Sequence, residues 1–167
     1  MIDEIDAKIL QILQTDGRIS NVDIARTLGM APSGVLARRR RLEREGIIQG
    51  YEARVDPRPL GLGLMTFIQV KTDEPVGQTG AGREMAALSE IQEVHFIAGE
   101  FNYLLKARVT GTDGLTRLLE RMGAISTVRD TRTTLVLDTI KEGLALGFGE
   151  PGTRPQGSRR KSSGTQD

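Results

Sequence analysis

The chain has no cysteine, which removes disulfide staples, thiolate nucleophiles and cysteine-based zinc sites. It has a single histidine, His95, with no clustered carboxylates around it, so a metal centre or a histidine-driven catalytic pair has too few parts. His95 lies between Val94 and Phe96 and reads as an ordinary strand residue. Ser33 and Ser126 have no base partner in the sequence, and no phosphate-cradling glycine motif is present. Neither catalysis nor a cofactor is therefore expected. No apolar run approaches the roughly 20 residues of a membrane helix, and the acidic Met1-Ile2-Asp3-Glu4 start is unlike a signal peptide. A soluble, cytoplasmic protein with no membrane partner is expected. Net charge is only +1, but it is unevenly placed. Residues 1–55 carry nine basic against eight acidic side chains, residues 56–150 carry ten against thirteen, and residues 151–167 four against one. The acidic centre is a poor nucleic-acid surface.

What is present is informative from Met30 to Ile48. Pro32 stands at an expected first helical turn after Gly29, Val35 and Leu42 are seven apart, and Gly46 ends the run. At about 100° per residue, Arg39 and Leu42 share the face of Val35, while Ser33, Ala37, Arg40, Arg41 and Arg44 point away. The outward face is small at its start and cationic further on, which is how a helix that enters the DNA major groove reads. An arginine run is more often a solvated face, so the preceding segments matter. Ile2, Ile5, Ile9, Ile12 and Leu13 form one helical stripe, with Asp3 as N-cap and Gly17 as stop. Ser20-Asn21-Val22-Asp23 opens a second short helix through Leu28 as a capping box. Three helices with one apolar stripe each make a trihelical helix-turn-helix core.

Asp56-Pro57-Arg58-Pro59-Leu60-Gly61 breaks the pattern after an extended Ile47–Val55 link. Beyond it the expected order is a strand at 64–71, a helix at 82–91 with Met85 and Leu88 inward, and strands at 93–98 and 103–110 around a Gly99-Glu100-Phe101-Asn102 turn. A helix capped by Thr112 or Asp113 follows, with Leu115, Leu118, Leu119 and Met122 inward, and then a strand at about 130–140. This is an α+β chain: an N-terminal trihelical, winged helix-turn-helix, then a ferredoxin-like β-α-β-β-α-β sandwich. Domains are expected at 1–55 and 60–142, with a disordered basic tail at 143–167 that includes Arg159-Arg160-Lys161. Two helices cover one sheet face, so self-association is the simplest cover for the other.

Taken in order, Ile2-Asp3 with Ile5-Asp6 and Ile9-Leu10, Asp16-Gly17-Arg18-Ile19-Ser20, Leu42-Glu43 with Gly46-Ile47-Ile48, Val55-Asp56-Pro57 with Leu60-Gly61, and Gly99 to Lys106 resemble the leucine-responsive/asparagine (Lrp/AsnC) family of transcription regulators. The resemblance runs from Ile2 to about Lys141. It implies an N-terminal unit that binds double-stranded DNA and a C-terminal unit that forms a homodimer or higher homo-oligomer and senses a small effector, usually an amino acid. By position, Ser33, Gly34, Arg38 and Arg41 fall where the family contacts DNA; Ala37, Arg40 and Arg44 join them from the helix face. Gly99, Glu100, Phe101, Asn102 and Tyr103, with Thr131 and Thr133, fall around the family's effector pocket. Exposed amides and hydroxyls there suit an α-carboxylate, and carbonyls an α-ammonium. The chain departs from the family pattern at Ala31 for serine, Arg39 for an apolar residue, Asn102 for aspartate and Ser126-Thr127 for Pro-Gly. Two other readings remain open: an enzyme resembling the sirohaem decarboxylases, which needs positioned histidine and arginine, and an architectural DNA-binding protein without an effector.

Overall fold

The computed structural model describes residues 2–147, in two compact units. The first runs to Ala53 and takes in the segment from Gly143; the second is Arg54–Glu142.

The first unit is three helices, α1 (Glu4–Thr15), α2 (Asn21–Leu28) and α3 (Pro32–Arg44). Asp3 caps α1 by accepting from the Asp6 amide at 2.8 Å, while the Asp6 carboxylate accepts from the Asp3 amide at 3.0 Å. Two otherwise orphaned donors are thereby satisfied. The helix stops at an extended Asp16 (φ −140°), so the expected stop at Gly17 is corrected by one residue. Ser20 caps α2 by accepting from the Asp23 amide at 3.1 Å, but the box closes between side chains, the Ser20 hydroxyl donating to Asp23 at 2.6 Å. Gly29 ends α2 at φ 65°, a left-handed conformation that costs a residue with a Cβ about 1–2 kcal/mol. Ala31 gives α3 no capping side chain, and Pro32 at the first helical position has no N–H to leave unpaired.

Ile9, Ile24, Val35 and Leu42 are fully buried at the centre of this unit, each contributing about 1.5–3 kcal/mol by burial. Val35 and Leu42 are the inward pair that the spacing in α3 predicts. Residues 47–53 carry no helix or strand, so the expected wing has no paired strand among the described residues. Within the same unit, Leu146 donates its amide to Gln14 Oε1 at 2.6 Å and accepts from Gln14 Nε2 at 3.1 Å. The rest of the expected basic tail, 148–167, lies outside the described residues.

The second unit is β1 (Leu64–Thr72), α4 (Gly80–Ala86), β2 (Ile91–Phe96), β3 (Tyr103–Val109), α5 (Thr112–Gly123) and β4 (Val128–Leu135), an antiparallel sheet in the order β2-β3-β1-β4. Alternation puts Ile68, Val70, Tyr103, Leu105, Ala107 and Val109 on one face, where Ala81 and Met85 of α4 and Leu118 and Met122 of α5 cover them. Helix α4 is shorter than the expected 82–91, because Ile91 pairs with Ala107 in the sheet and its amide turns back to the Leu88 carbonyl at 3.0 Å. Neither Thr112 nor Asp113 caps α5; Gly111 holds that position at φ 139°. The last strand ends at Leu135, short of the expected 140.

The helix-free face is less apolar than its sequence implies. Met65, Phe67 and Leu104 share it with Glu93, His95, Lys106 and Arg108. Lys106 pairs with Glu93 at 3.1 Å and Glu142 at 2.5 Å, and Arg108 pairs with Glu142 at 2.9 Å.

Candidate functional site

Helix α3 carries five arginines, and they fall into two sets. Arg40 and Arg44 are exposed on the same face as exposed Ser33 and Ala37, and make no ion pair among the described residues. Gly34, half-buried beside them, leaves its Cβ position 3.5 Å from Met30 Cε. The other three are neutralised within the unit. Arg38 Nη1 donates to Asp6 Oδ1 at 2.8 Å and pairs with Asp3, and Arg41 Nη2 donates to Asp6 Oδ2. Arg41, expected on the outward face, thus turns to the flank next to α1.

Asp6 is completely buried. Burial pushes its carboxyl up, but the Asp3 amide and the Arg38 and Arg41 guanidiniums outweigh burial and hold it down at about 2. Arg39, on the Val35 face as the helical angle predicts, needs an acid or an outlet to water. It has Glu43 at 3.4 Å, the Tyr51 hydroxyl as acceptor at 2.8 Å, and the Tyr51 ring 4.7 Å below its guanidinium. Asp6 and Tyr51 are the supporting residues missed by sequence reasoning. The Asp3/Asp6 spacing, that of a capping box, was the available signal for the first; Tyr51 left none.

In the sheet unit, Gly99 (φ 148°) and Glu100 are exposed at the β2–β3 turn. Among the described residues the amides of Gly99, Glu100 and Phe101 donate to no protein acceptor. Phe101 is buried, with the Arg132 guanidinium 4.9 Å from its ring centre. Asn102 is committed to the fold: its amide donates to the Val70 carbonyl at 2.9 Å and its Oδ1 accepts from the Thr72 amide at 2.7 Å. Tyr103 is 1% exposed and donates to Glu74 Oε2 at 2.8 Å; burial and that bond push its hydroxyl up to about 12. Register ties the turn to the edge strand. Val70 lies between Tyr103 and Thr131, and Ile68 between Leu105 and Thr133, so both threonines line the helix-covered face at half-burial.

A trihelical unit with a small-then-cationic helix face, on one chain with a β-α-β-β-α-β domain, defines a two-part DNA-binding regulator. Residues 2–49 match the model of winged helix-turn-helix DNA-binding domains, and residues 65–146 that of the Lrp/AsnC ligand binding domain. The chain is 40% identical over 144 residues to the leucine-responsive regulatory protein of Escherichia coli K12, a match covering 84% of this chain and 88% of that one. A transcriptional regulator of Neisseria meningitidis in complex with L-methionine superimposes with a TM-score of 0.82 at 30% identity, over 88% of this chain and 97% of that one. A feast or famine regulatory protein of M. tuberculosis complexed with L-methionine gives 0.81 at 32% identity, over 87% and 99%. The chain belongs to the Lrp/AsnC family and is a DNA-binding transcriptional regulator with a ligand-binding domain. The curated relatives are transcriptional regulators, not enzymes. No described helix is long and apolar enough to cross a membrane.

Proposed function

We propose that residues 1–55 read duplex DNA through α3, with Ser33, Gly34 and Ala37 admitting its first turns to the major groove and Arg40 and Arg44 meeting base edges or phosphates. Residues 60–142 associate into a homodimer or higher homo-oligomer and take an amino-acid effector, and residues 143–167 supply a basic tail. The observation that carries this reading is the exposed Ser33, Ala37, Arg40, Arg44 stripe, whose two arginines have no ion pair among the described residues. For the effector, the three unpaired amides at Gly99, Glu100 and Phe101 suit an α-carboxylate, and the exposed Glu100 carboxylate suits the α-ammonium. Two structural relatives are complexed with L-methionine, which makes that amino acid the first to test.

The test is fluorescence anisotropy on a duplex from the promoter region of the chain's own gene, repeated with each of the twenty amino acids. Arg40→Ala and Arg44→Ala each weaken specific binding by about 1–3 kcal/mol where they reach a base edge, or flatten the salt slope by about 0.9 where they reach a phosphate. Unchanged affinity and slope in both variants rejects the docking face. An amino-acid response kept in full by Gly99→Trp, which puts a bulky side chain at φ 148°, places the sensor elsewhere.

A further inference from the structure

We propose that Asp6 is a positioning residue for DNA recognition: it withholds the Arg38 and Arg41 guanidiniums from the phosphate backbone and leaves Arg40 and Arg44 as the DNA-facing cations of α3. The proposal rests on the reading above that α3 is the helix that meets DNA. Its physical basis is a closed charge count. Asp3 and Asp6 stand against Arg38 and Arg41, so two of the five arginines of α3 contribute no net charge to the surface. Both Asp6 oxygens are engaged, Oδ1 by Arg38 and Oδ2 by Arg41 and the Asp3 amide. Asp6 holds Arg41 on this flank closely enough to bury its Nε.

A purely structural contact is met as well or better by apolar side chains of similar volume, because burying an ion pair roughly cancels its own attraction. A functional gain is specific to charge. Contacts to phosphate add affinity blind to sequence, and each further free guanidinium on this helix would add one. By holding two of them together with Asp3, Asp6 lowers the sequence-blind part of binding by one net charge and leaves the base-reading part in place.

The experiment measures anisotropy of the full chain on a random-sequence duplex between 50 and 200 mM NaCl. Two variants are compared with the parent, and circular dichroism confirms their fold. In Asp6→Asn the amide oxygen still accepts the capping bond, Arg38 keeps Asp3, and Arg41 loses its counter-charge. Its log–log salt slope should steepen by about 0.9, so that its affinity falls about 3.5-fold further than the parent's across that fourfold rise in salt. In the double variant Asp6→Asn, Arg41→Gln one charge of each sign is removed while Arg38 keeps Asp3, and the parent slope should return. This variant decides alone if Asp6→Asn does not fold: a slope shallower than the parent's by about 0.9 means that Arg41 already touches phosphate, and overturns the proposal. A folded Asp6→Asn with the parent slope overturns it too. If Arg40→Ala and Arg44→Ala weaken binding in that case, the docking face stands and only the role of Asp6 falls; if they do not, both fall.

Discussion

Gly82 in α4 leaves no room for a methyl group. A Cβ built there lies 2.6 Å from Cε1 of Tyr103 and 3.3 Å from its Cζ, inside van der Waals contact. The ring has nowhere to go, being 1% exposed with its hydroxyl bonded to Glu74 at 2.8 Å. Glu74 is itself held, accepting from the Ala81 amide at 2.8 Å and the Thr72 hydroxyl at 3.3 Å. In Gly82→Ala two effects oppose. Alanine is worth about 1 kcal/mol over glycine inside a helix. Overpacking costs about 1–3 kcal/mol, and loosening a hydrogen bond to a carboxylate costs about 1.5–3 kcal/mol more if it breaks. The steric side wins, and a net loss of about 2 kcal/mol is expected. Chemical denaturation followed by circular dichroism should show a lower midpoint at unchanged slope. Gly123→Ala is the control, since nothing lies within 4 Å of its Cβ position. A Gly82→Ala protein as stable as its parent refutes the close packing of α4 on the Tyr103 ring.

Acid should unlatch the trihelical unit through Asp6. Its folded value of about 2 lies below the ordinary 3.8, so its contribution, about 2 kcal/mol, is complete above pH 4 and lost as pH falls from about 4 to 2. Parallel stability–pH curves for the parent and Asp6→Asn over that window would contradict this. On β1, the Thr66 hydroxyl is fully buried with no hydrogen-bond partner. Thr66→Val keeps the side-chain shape and relieves that orphan, so a gain of about 1 kcal/mol is expected in the same denaturation assay; a loss means that the hydroxyl has a partner.

Periodicity made the elements legible. The Ile5, Ile9, Ile12 and Leu13 stripe of α1 and the Leu118 and Met122 face of α5 each state which side is inward, because a helix repeats every 3.6 residues whatever it packs against. What periodicity cannot state is who receives a side chain on the flank. Arg41 lies to one side of the Arg40–Arg44 line, and only the position of α1 turns that flank into an ion pair with Asp6. Asn102 carries the same lesson. Read along the chain it is a missing negative charge; in the fold its Oδ1 takes the Thr72 amide from 30 residues away. Such pairings are set by strand register, which no local pattern encodes.

The bare sheet face shows how register changes a functional argument. Alternation along β1 and β3 marks one face as exposed, and an exposed sheet face invites a second copy. The register puts Lys106 and Arg108 there, bound to Glu93 and Glu142, with apolar area limited to Phe67 and Leu104, since Met65 is already buried. Covering that network would desolvate three ion pairs, which cancels much of what two apolar side chains gain at about 25 cal/mol per Å². Leu135, Leu137 and Ile140, at and beyond the end of edge strand β4, are 44%, 97% and 91% exposed and carry no such cost. For the homo-oligomer proposed above, burial against a second copy therefore gains most along β4 and the residues after it, not across the centre of the sheet.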